Sequence, residues 1–228
     1  MKKCILLVFV LTLLWSVAYA ESNSPSIGIV GGLNLSNVGG KSNSKLDPTP
    51  GFRGGATMLF PVVDVIVLQA EMNLTMKGTS TSYKDTYDGY PYDVDITDTY
   101  TYLEAPLLMK LNLELKPIQI QPYIGASLAY LLGASTTTTV TMDYDSESES
   151  ASMKQYMNNV DAGINIGMDI IVFDQFMAGL RYNYGLLDIY DKDYPGLKGY
   201  KNRTFMLNFG YVMKLNTLLD INKEMFGL

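Results

Sequence analysis

The chain has 228 residues, of which 23 are acidic and 17 are basic, so its formal net charge is −6 at pH 7, and it contains no histidine. Such an acidic chain has no electrostatic basis for binding nucleic acid. Without histidine, Ser-His hydrolysis, Asp-His protease dyads and histidine-ligated metal sites are excluded.

The first twenty residues have the composition of a secretory signal peptide. Met1-Lys2-Lys3 is a short basic start, residues 4–17 are apolar and uncharged, and Ala18-Tyr19-Ala20 supplies the small residues that a signal peptidase reads. We predict cleavage after Ala20, with an uncleaved anchor as the alternative. Cys4 is the single cysteine, so the exported chain would depend on packing and backbone hydrogen bonds rather than on a disulfide.

Beyond residue 20 the sequence alternates in polarity with a period of two. The clearest example is residues 65–77, which can be separated into two faces by a strand but not by a helix. The segment is also long enough to cross a membrane, where a tilted strand takes about 9–11 residues. Its apolar face carries Ile66, Leu68, Ala70, Met72, Leu74 and Met76, and its polar face carries Gln69, Glu71, Asn73, Thr75 and Lys77.

The same pattern occurs in eight segments, and the connections between them alternate in length. In an antiparallel meander, this order places every long connection at one rim and every short turn at the other. The segments are 26–36, 51–60, 65–77, 100–113, 119–132, 159–170, 176–186 and 203–215. The long connections are 37–50, 78–99, 133–158 and 187–202, and the short ones are 61–64, 114–118 and 171–175.

Long loops at one rim and short turns at the other are typical of bacterial outer-membrane barrels. We therefore predict an all-β fold, an eight-stranded antiparallel up-and-down transmembrane β-barrel with long extracellular loops and short periplasmic turns. The barrel domain would cover residues 21–215, and residues 216–228 would form a C-terminal periplasmic tail. The expected location is the outer membrane. A soluble periplasmic lipocalin-like barrel with an apolar ligand inside would alternate equally well, and it stays open as the alternative.

The polar faces carry glycines and charges of both signs, which favours placing them inside. A lumen of eight strands is only wide enough for side chains to fill, so small residues fit there and a narrow porin is the less favoured interpretation. The glycines are Gly28, Gly32, Gly55, Gly125, Gly163, Gly167, Gly179 and Gly210. The charges, for which we predict a structural network in the lumen, are Arg53, Glu71, Lys77, Glu104, Lys110, Asp161, Asp169 and Arg181.

No catalytic, cofactor-binding or metal site is predicted. Glu71 and Glu104 are candidates for carboxylate chemistry if they are neighbours, but neutralisation by Arg53, Lys110 or Arg181 is favoured because buried charges are costly unless paired. Pro106 is expected on the lumen face beside Glu104, where it would cause a local bulge or kink. The alternative for Pro106 is a strand boundary one residue earlier.

Five runs of the sequence carry a family resemblance. They are Gly51-Phe52-Arg53-Gly54-Gly55, Gln69-Ala70-Glu71-Met72, Met76-Lys77-Gly78, Tyr102-Leu103-Glu104-Ala105-Pro106-Leu107-Leu108 and Pro122-Tyr123-Ile124-Gly125. These runs resemble the outer-membrane β-barrel family often called PorT-like. The resemblance implies an eight-stranded barrel in the outer membrane of a Gram-negative bacterium, and one branch of that family is associated with protein secretion. The chain departs from the usual pattern of such barrels, because its last strand is followed by residues 216–228 instead of ending on an aromatic residue.

Two of the long connections are candidates for contacts outside the membrane. Residues 78–99 interleave tyrosine with aspartate, and residues 133–158 contain an acidic run. We expect outer-membrane lipid and lipopolysaccharide around the barrel, and a surface or secretion-machinery protein as the partner of these two loops. Clustered carboxylates are also compatible with Ca²⁺, but no loop has EF-hand spacing, and solvated loops without a partner are the simplest alternative.

Overall fold

The computed structural model describes residues 24–40, 46–87, 90–142, 145–191 and 199–217. These residues form ten β-strands and one short 3-10 turn, Lys154–Tyr156. The predicted signal peptide at 1–20 lies outside the described residues. The strands are β1 Ser26–Gly39, β2 Asp47–Val63, β3 Ile66–Tyr87, β4 Tyr90–Leu111, β5 Leu113–Leu115, β6 Ile118–Met142, β7 Asp145–Ser152, β8 Val160–Val172, β9 Phe176–Gly185 and β10 Lys201–Lys214.

The sheet closes on itself into an antiparallel barrel. Sequence neighbours pair along the wall, and the first and last strands pair from Ser26↔Lys214 to Gly39↔Lys201. β5 continues β4 beyond a break at Asn112, and β7 pairs only with β6 outside the barrel. Eight strands therefore form the wall, and the predicted eight-stranded up-and-down barrel is confirmed. Closure leaves no unpaired edge in the wall.

The polar faces of the strands point into the barrel. On β3, Glu71 and Lys77 are 5% and 3% exposed, whereas Met72 and Leu74 are 53% and 52% exposed. The same division holds on β10, where Asn208 is buried and Leu207 faces outward. The lipocalin-like alternative needs the apolar face inside, so it is wrong. An outward apolar band around a polar lumen is the pattern of a transmembrane barrel.

Residues 78–99 and 133–158 were predicted as loops but are mostly strand, so the predicted limits of these two loops were wrong. β3 and β4 continue to Tyr87 and Tyr90, and β6 continues to Met142 before β7 returns along it. Polar residues lie on both faces in these stretches, which hides the alternation expected of a half-buried strand. Their threonine, tyrosine and valine content favours strand nevertheless. We call the part formed by residues 78–87, 90–99, 133–142 and 145–152 the distal sheet.

Pro106 causes neither a bulge nor a strand end, so the predicted bulge and the alternative of a strand boundary were wrong. The pairing of β3 with β4 passes from Ala70↔Leu107 to Asn73↔Glu104 without a register shift. Pro106 stays buried on the lumen face and remains paired with Ser127 of β6. The missing N–H therefore interrupts the ladder locally without changing the register. The bulge in this region lies higher, where Thr101 pairs with Gly133 and Tyr102 with Leu131.

After β10 the chain turns at the rim that carries the short turns. Residues 215–217 are helical, and the Leu215 N–H donates to the Pro25 carbonyl at 2.8 Å. The remainder of the predicted tail, 218–228, lies outside the described residues. In the described part of the chain, no helix is long and apolar enough to cross a membrane.

Candidate functional site

The candidate site is the charged layer inside the barrel. Each of its side chains is placed by strand alternation, since residues two apart on a strand face the same side. All the charged residues predicted for the lumen lie there, and none is more than 5% exposed. They are Arg53 on β2, Glu71 and Lys77 on β3, Glu104 and Lys110 on β4, Asp161 and Asp169 on β8, and Arg181 on β9.

Glu71 is the centre of this layer. Arg181 donates to both of its carboxylate oxygens, from Nη2 to Oε1 at 2.8 Å and from Nη1 to Oε2 at 2.9 Å. The Nη2 of Arg53 donates to Oε2 at 2.5 Å. Asn73 and Gln69 add side-chain amide donors at 2.9 and 2.6 Å. Bidentate arginine contacts of this type are among the strongest hydrogen bonds in proteins, so the Glu71 carboxylate is held in place.

Glu104 and Lys77 form a second, looser ion pair above this centre. Their closest atoms, Lys77 Nζ and Glu104 Oε2, are 3.6 Å apart. The Lys77 ammonium also donates to Asn183 Oδ1 at 3.3 Å and lies 5.5 Å from the ring centroid of Tyr102. The sequence analysis proposed Arg53, Lys110 or Arg181 as partners of Glu71 and Glu104. The structure pairs Arg53 and Arg181 with Glu71, whereas Glu104 pairs with Lys77.

Lys110 and Asp169 form the third pair, towards the short-turn rim. The distance from Lys110 Nζ to Asp169 Oδ2 is 2.5 Å. The same ammonium lies 5.1 Å from the ring centroid of Tyr123, whose hydroxyl accepts from Arg181 Nε at 3.1 Å. Tyr123 therefore contacts both the central cluster and this pair.

Asp161 differs from the other carboxylates of the layer. Within the described part of the chain it is held by hydrogen bonds, from Asn202 Nδ2 at 2.8 Å and from the Ala162 N–H at 2.8 Å. The sequence analysis missed Asn73, Tyr123, Asn183 and Asn202 as members of the network. Each lies at one of the alternate positions of its strand that face inward. That alternation was the signal that could have identified it.

Glycines make room for this layer. An added Cβ at any of the eight inward glycines named above would lie closer to another heavy atom than van der Waals contact allows. At Gly179 the obstructing atoms include Asp169 Oδ1 and the Met168 carbonyl oxygen. The space beside these glycines is thus taken up by the backbone of neighbouring strands or by lumen side chains, as expected for a barrel of this size.

Apolar layers lie on both sides of the charges. Towards the distal sheet, Tyr100, Tyr102 and Leu131 pack with Ile189 and Met157 from the segments that join β9 to β10 and β7 to β8. Tyr190 packs against this layer, and burial raises the pKa of its phenol. Towards the short turns, a second cluster is formed by Val30, Leu59, Val67, Ile171, Met177 and Val212.

An open cavity of about 1150 Å³ lies beyond the second cluster at the short-turn rim. Gln121 and Lys116 contribute to its polar lining. Among the residues that the structure describes, no group of three or more cysteine, aspartate or glutamate side chains is arranged to hold a metal ion. Glu71 and Glu104 are both engaged by cations, which leaves neither carboxylate as a free general acid or base.

Residues 20–191 match the family described as "Outer membrane protein beta-barrel domain". The chain belongs to this family. An outer-membrane β-barrel is thus indicated by the family, by the outward apolar face and by the closed wall together. The predicted location in the outer membrane follows from the family.

Solved structures similar to this outer-membrane barrel include three bacterial proteins. Ail, the attachment invasion locus protein of Yersinia pestis, is 17% identical with a TM-score of 0.43, over 84% of this chain and 99% of that chain. Neisserial surface protein A is 14% identical with a TM-score of 0.40, over 83% and 97%. OprG of Pseudomonas aeruginosa is 14% identical with a TM-score of 0.36, over 84% and 97%. These values are too low to carry a functional argument. No curated protein sequence matches the chain.

Proposed function

We propose that this barrel is a non-enzymatic, non-conducting protein of the outer membrane that displays the distal sheet at the cell surface for adhesion or partner binding. The observation that carries the proposal is strand length. β3 and β4 have 22 residues each and β6 has 25, whereas a transmembrane strand takes about 9–11. Roughly half of each strand therefore extends beyond the bilayer as paired sheet.

The absence of conductance is supported by the filling of the lumen. Glu71 and Arg181 meet across its centre, and buried apolar clusters lie on both sides of the charged layer. Reconstitution of the purified barrel in planar bilayers tests this, with the heat-induced gel shift as the check that the protein is folded. We expect no steady conductance. A stable single-channel conductance would favour the narrow-porin alternative.

The orientation and the processing of the chain belong to the same proposal. Cleavage after Ala20 would remove Cys4, so a cysteine introduced into the mature chain is the sole label site. We expect Ser148→Cys, in β7, to react with a membrane-impermeant maleimide on intact cells. Glu114→Cys, at the short-turn rim, should react only after the outer membrane is permeabilised. Reversed labelling would place the distal sheet in the periplasm, and mass spectrometry of the mature chain should give Glu21 as its first residue.

We infer further that the chain belongs to the PorT-like branch, with contact to the secretion machinery as the second candidate function. The support is the run Tyr102-Leu103-Glu104-Ala105-Pro106-Leu107-Leu108 in the second half of β4. It contains Glu104, which pairs with Lys77, and it is followed two residues later by Lys110, which pairs with Asp169. Cross-linking on intact outer membranes followed by mass spectrometry tests it. Cross-links from the short-turn rim to periplasmic export proteins favour secretion, and cross-links confined to the distal sheet favour surface binding.

Lipid and lipopolysaccharide are the proposed surroundings of the wall. Ile29, Met72, Ile166 and Phe209 are each more than half exposed on the outward face, and exposed apolar side chains in such a continuous band require acyl chains around them. Fractionation tests this directly, since extraction of the native protein without detergent would contradict it.

A further inference from the structure

The outward faces of β3, β4 and β6 change character at one level of the barrel. Below it they are apolar and end at Met76, Leu103 and Leu132. Above it the next outward positions are Gly78, Thr101 and, after the bulge, Gly133, followed by Ser135. The strands continue through this level, with one register shift between β4 and β6 at Thr101 and Tyr102. The change marks the end of the hydrocarbon region on this side of the barrel.

The distal sheet carries four rows of outward residues in register across β3, β4, β6 and β7. Every position is serine or threonine except Gly78, Lys84, Asp93 and Asp95, so the rows contain no apolar side chain. We call this surface the hydroxyl face. Its rows are Gly78–Thr99–Ser135–Ser152, Ser80–Thr97–Thr137–Ser150, Ser82–Asp95–Thr139–Ser148 and Lys84–Asp93–Thr141–Ser146.

Cross-strand contacts hold the hydroxyl face in a regular array. Three hydroxyl pairs join β6 to β7, Thr137–Ser150 at 2.9 Å, Thr139–Ser148 at 2.8 Å and Thr141–Ser146 at 3.0 Å. Each hydroxyl has one donor and two acceptor positions, so a paired hydroxyl still has capacity for a further hydrogen bond. The array is therefore ordered, and its hydroxyls can still form further hydrogen bonds.

The opposite face of the same sheet is different, which shows that the array is not simply the composition of a polar loop. Its positions include Tyr83, Val94 and Val140, in one row, and Val94 is buried. Thr136, Thr138 and Glu147 also lie on that opposite face, so its composition is mixed, whereas the hydroxyl face carries no apolar side chain.

We propose that the hydroxyl face binds the core oligosaccharide of the lipopolysaccharide molecules that surround the barrel. This inference rests on the proposed surface location of the distal sheet. The face continues the lipid-contacting wall directly, so it meets the layer that lies above the acyl chains, and in an outer leaflet of lipopolysaccharide that layer is sugar.

The chemistry of the face favours a sugar over the other ligands at that level. Hydroxyl groups donate and accept, as sugar hydroxyls do. Lipid phosphates would require arginine or lysine clusters, and the single lysine of the face, Lys84, is paired with Asp93 at 3.1 Å. A protein partner would require an apolar or aromatic centre to the patch, and the hydroxyl face has none.

The chain offers a matched pair of variants for the test. Thr137→Val with Thr139→Val removes two hydroxyls from the hydroxyl face. Thr136→Val with Thr138→Val makes the same chemical change on the same strand, facing inward. Valine keeps the branched shape of threonine, which favours strand, so both double variants are expected to fold, and the heat-induced gel shift checks this.

Binding is measured by isothermal titration of barrels in phosphatidylcholine nanodiscs with lipid-free core oligosaccharide, released from purified lipopolysaccharide by mild acid. We expect binding by the native chain and the inward variant, and at least a tenfold loss of affinity in the outward variant. Excess inorganic phosphate should not compete. No binding by the native chain, equal losses in the two variants, or competition by phosphate would each overturn the inference.

Amide hydrogen exchange of the native chain gives a second readout that needs no variant. Oligosaccharide should slow exchange in β6 and β7 of the distal sheet but not at the short-turn rim, and unchanged exchange in β7 would also overturn the inference. The proposed function is tested separately, because it predicts labelling of Ser148→Cys on intact cells. Labelling without oligosaccharide binding would leave the surface location standing and refute the hydroxyl-face ligand alone.

Discussion

Glu71 and Arg181 join opposite walls of the barrel. Glu71 lies on β3 and Arg181 on β9, and four strand-to-strand steps separate these strands in either direction around the wall. Their two hydrogen bonds of 2.8 and 2.9 Å therefore cross the full width of the lumen. Arg53 binds the same carboxylate from β2, so one acidic side chain pairs with two buried guanidinium groups and connects three strands.

Replacing the central carboxylate should therefore be costly. Glu71→Gln keeps the shape of the side chain but leaves Arg53 and Arg181 buried without a counter-ion, and breaking a buried pair in this way costs about 3–5 kcal/mol. Urea unfolding in lipid vesicles measures the free energy of unfolding. Glu114→Gln is the control, because Glu114 is exposed at the rim and surface changes usually stay within about 0.5 kcal/mol. Equal effects of the two changes would argue against a stabilising role for the cluster.

The pair of Lys77 and Glu104 can be tested by a double-mutant cycle. Glu104→Leu leaves the Lys77 ammonium buried and unpaired, so it should lower the temperature of the heat-induced gel shift in detergent. Adding Lys77→Met removes the orphaned charge and should restore part of the loss. We expect a coupling of about 0.5–3 kcal/mol between the two sites. Unchanged melting of Glu104→Leu would refute the pairing.

The boundary between lipid and the hydroxyl face can be located with lysine substitutions on the outward face of β3. Met72→Lys lies in the middle of the apolar band, where lysine costs about 2–4 kcal/mol, whereas Ser82→Lys lies above the boundary and should cost about 0–1 kcal/mol. Vesicle unfolding compares the two variants. Similar costs at both positions would mean that the apolar band is not in contact with lipid. A lysine substitution at the neighbouring lumen residue, Asn73, is not a suitable control, because the Asn73 amide donates to Glu71 at 2.9 Å.

The glycines of the lumen can be tested with one matched pair. Gly179→Ala places a Cβ against Asp169 Oδ1 and the Met168 carbonyl, which should displace Asp169 from Lys110. Overpacking of this kind costs about 1–3 kcal/mol. Gly54→Ala faces outward, where the nearest atom is the Val30 carbonyl oxygen at 4.0 Å, and it should be close to neutral. A neutral Gly179→Ala would mean that the lumen is less tightly filled than its contacts indicate.

Strand alternation alone was enough to predict the wall and the set of inward charges. Residues 65–77 are an example, because a period of two assigns Glu71 and Lys77 to one face whatever the strand packs against. It failed above residue 78, where Ser82, Asp93 and Thr139 face outward instead of apolar residues. The rule for a membrane strand assumes that outward-facing residues are apolar because they contact lipid. Outside the bilayer the outward face contacts a polar medium, so the rule does not apply there.

The sequence by itself determined the period, the number of wall strands and which charges of a wall strand share a face, because these follow from local alternation and loop length. Only the tertiary structure decided that Glu71 meets Arg181, that Glu104 meets Lys77, and that Pro106 leaves the register unchanged. Those outcomes depend on closure of the barrel and on the stagger between strands. Closure brings together residues as far apart in the chain as Glu71 and Arg181, and no local sequence pattern indicates that such distant residues will be in contact.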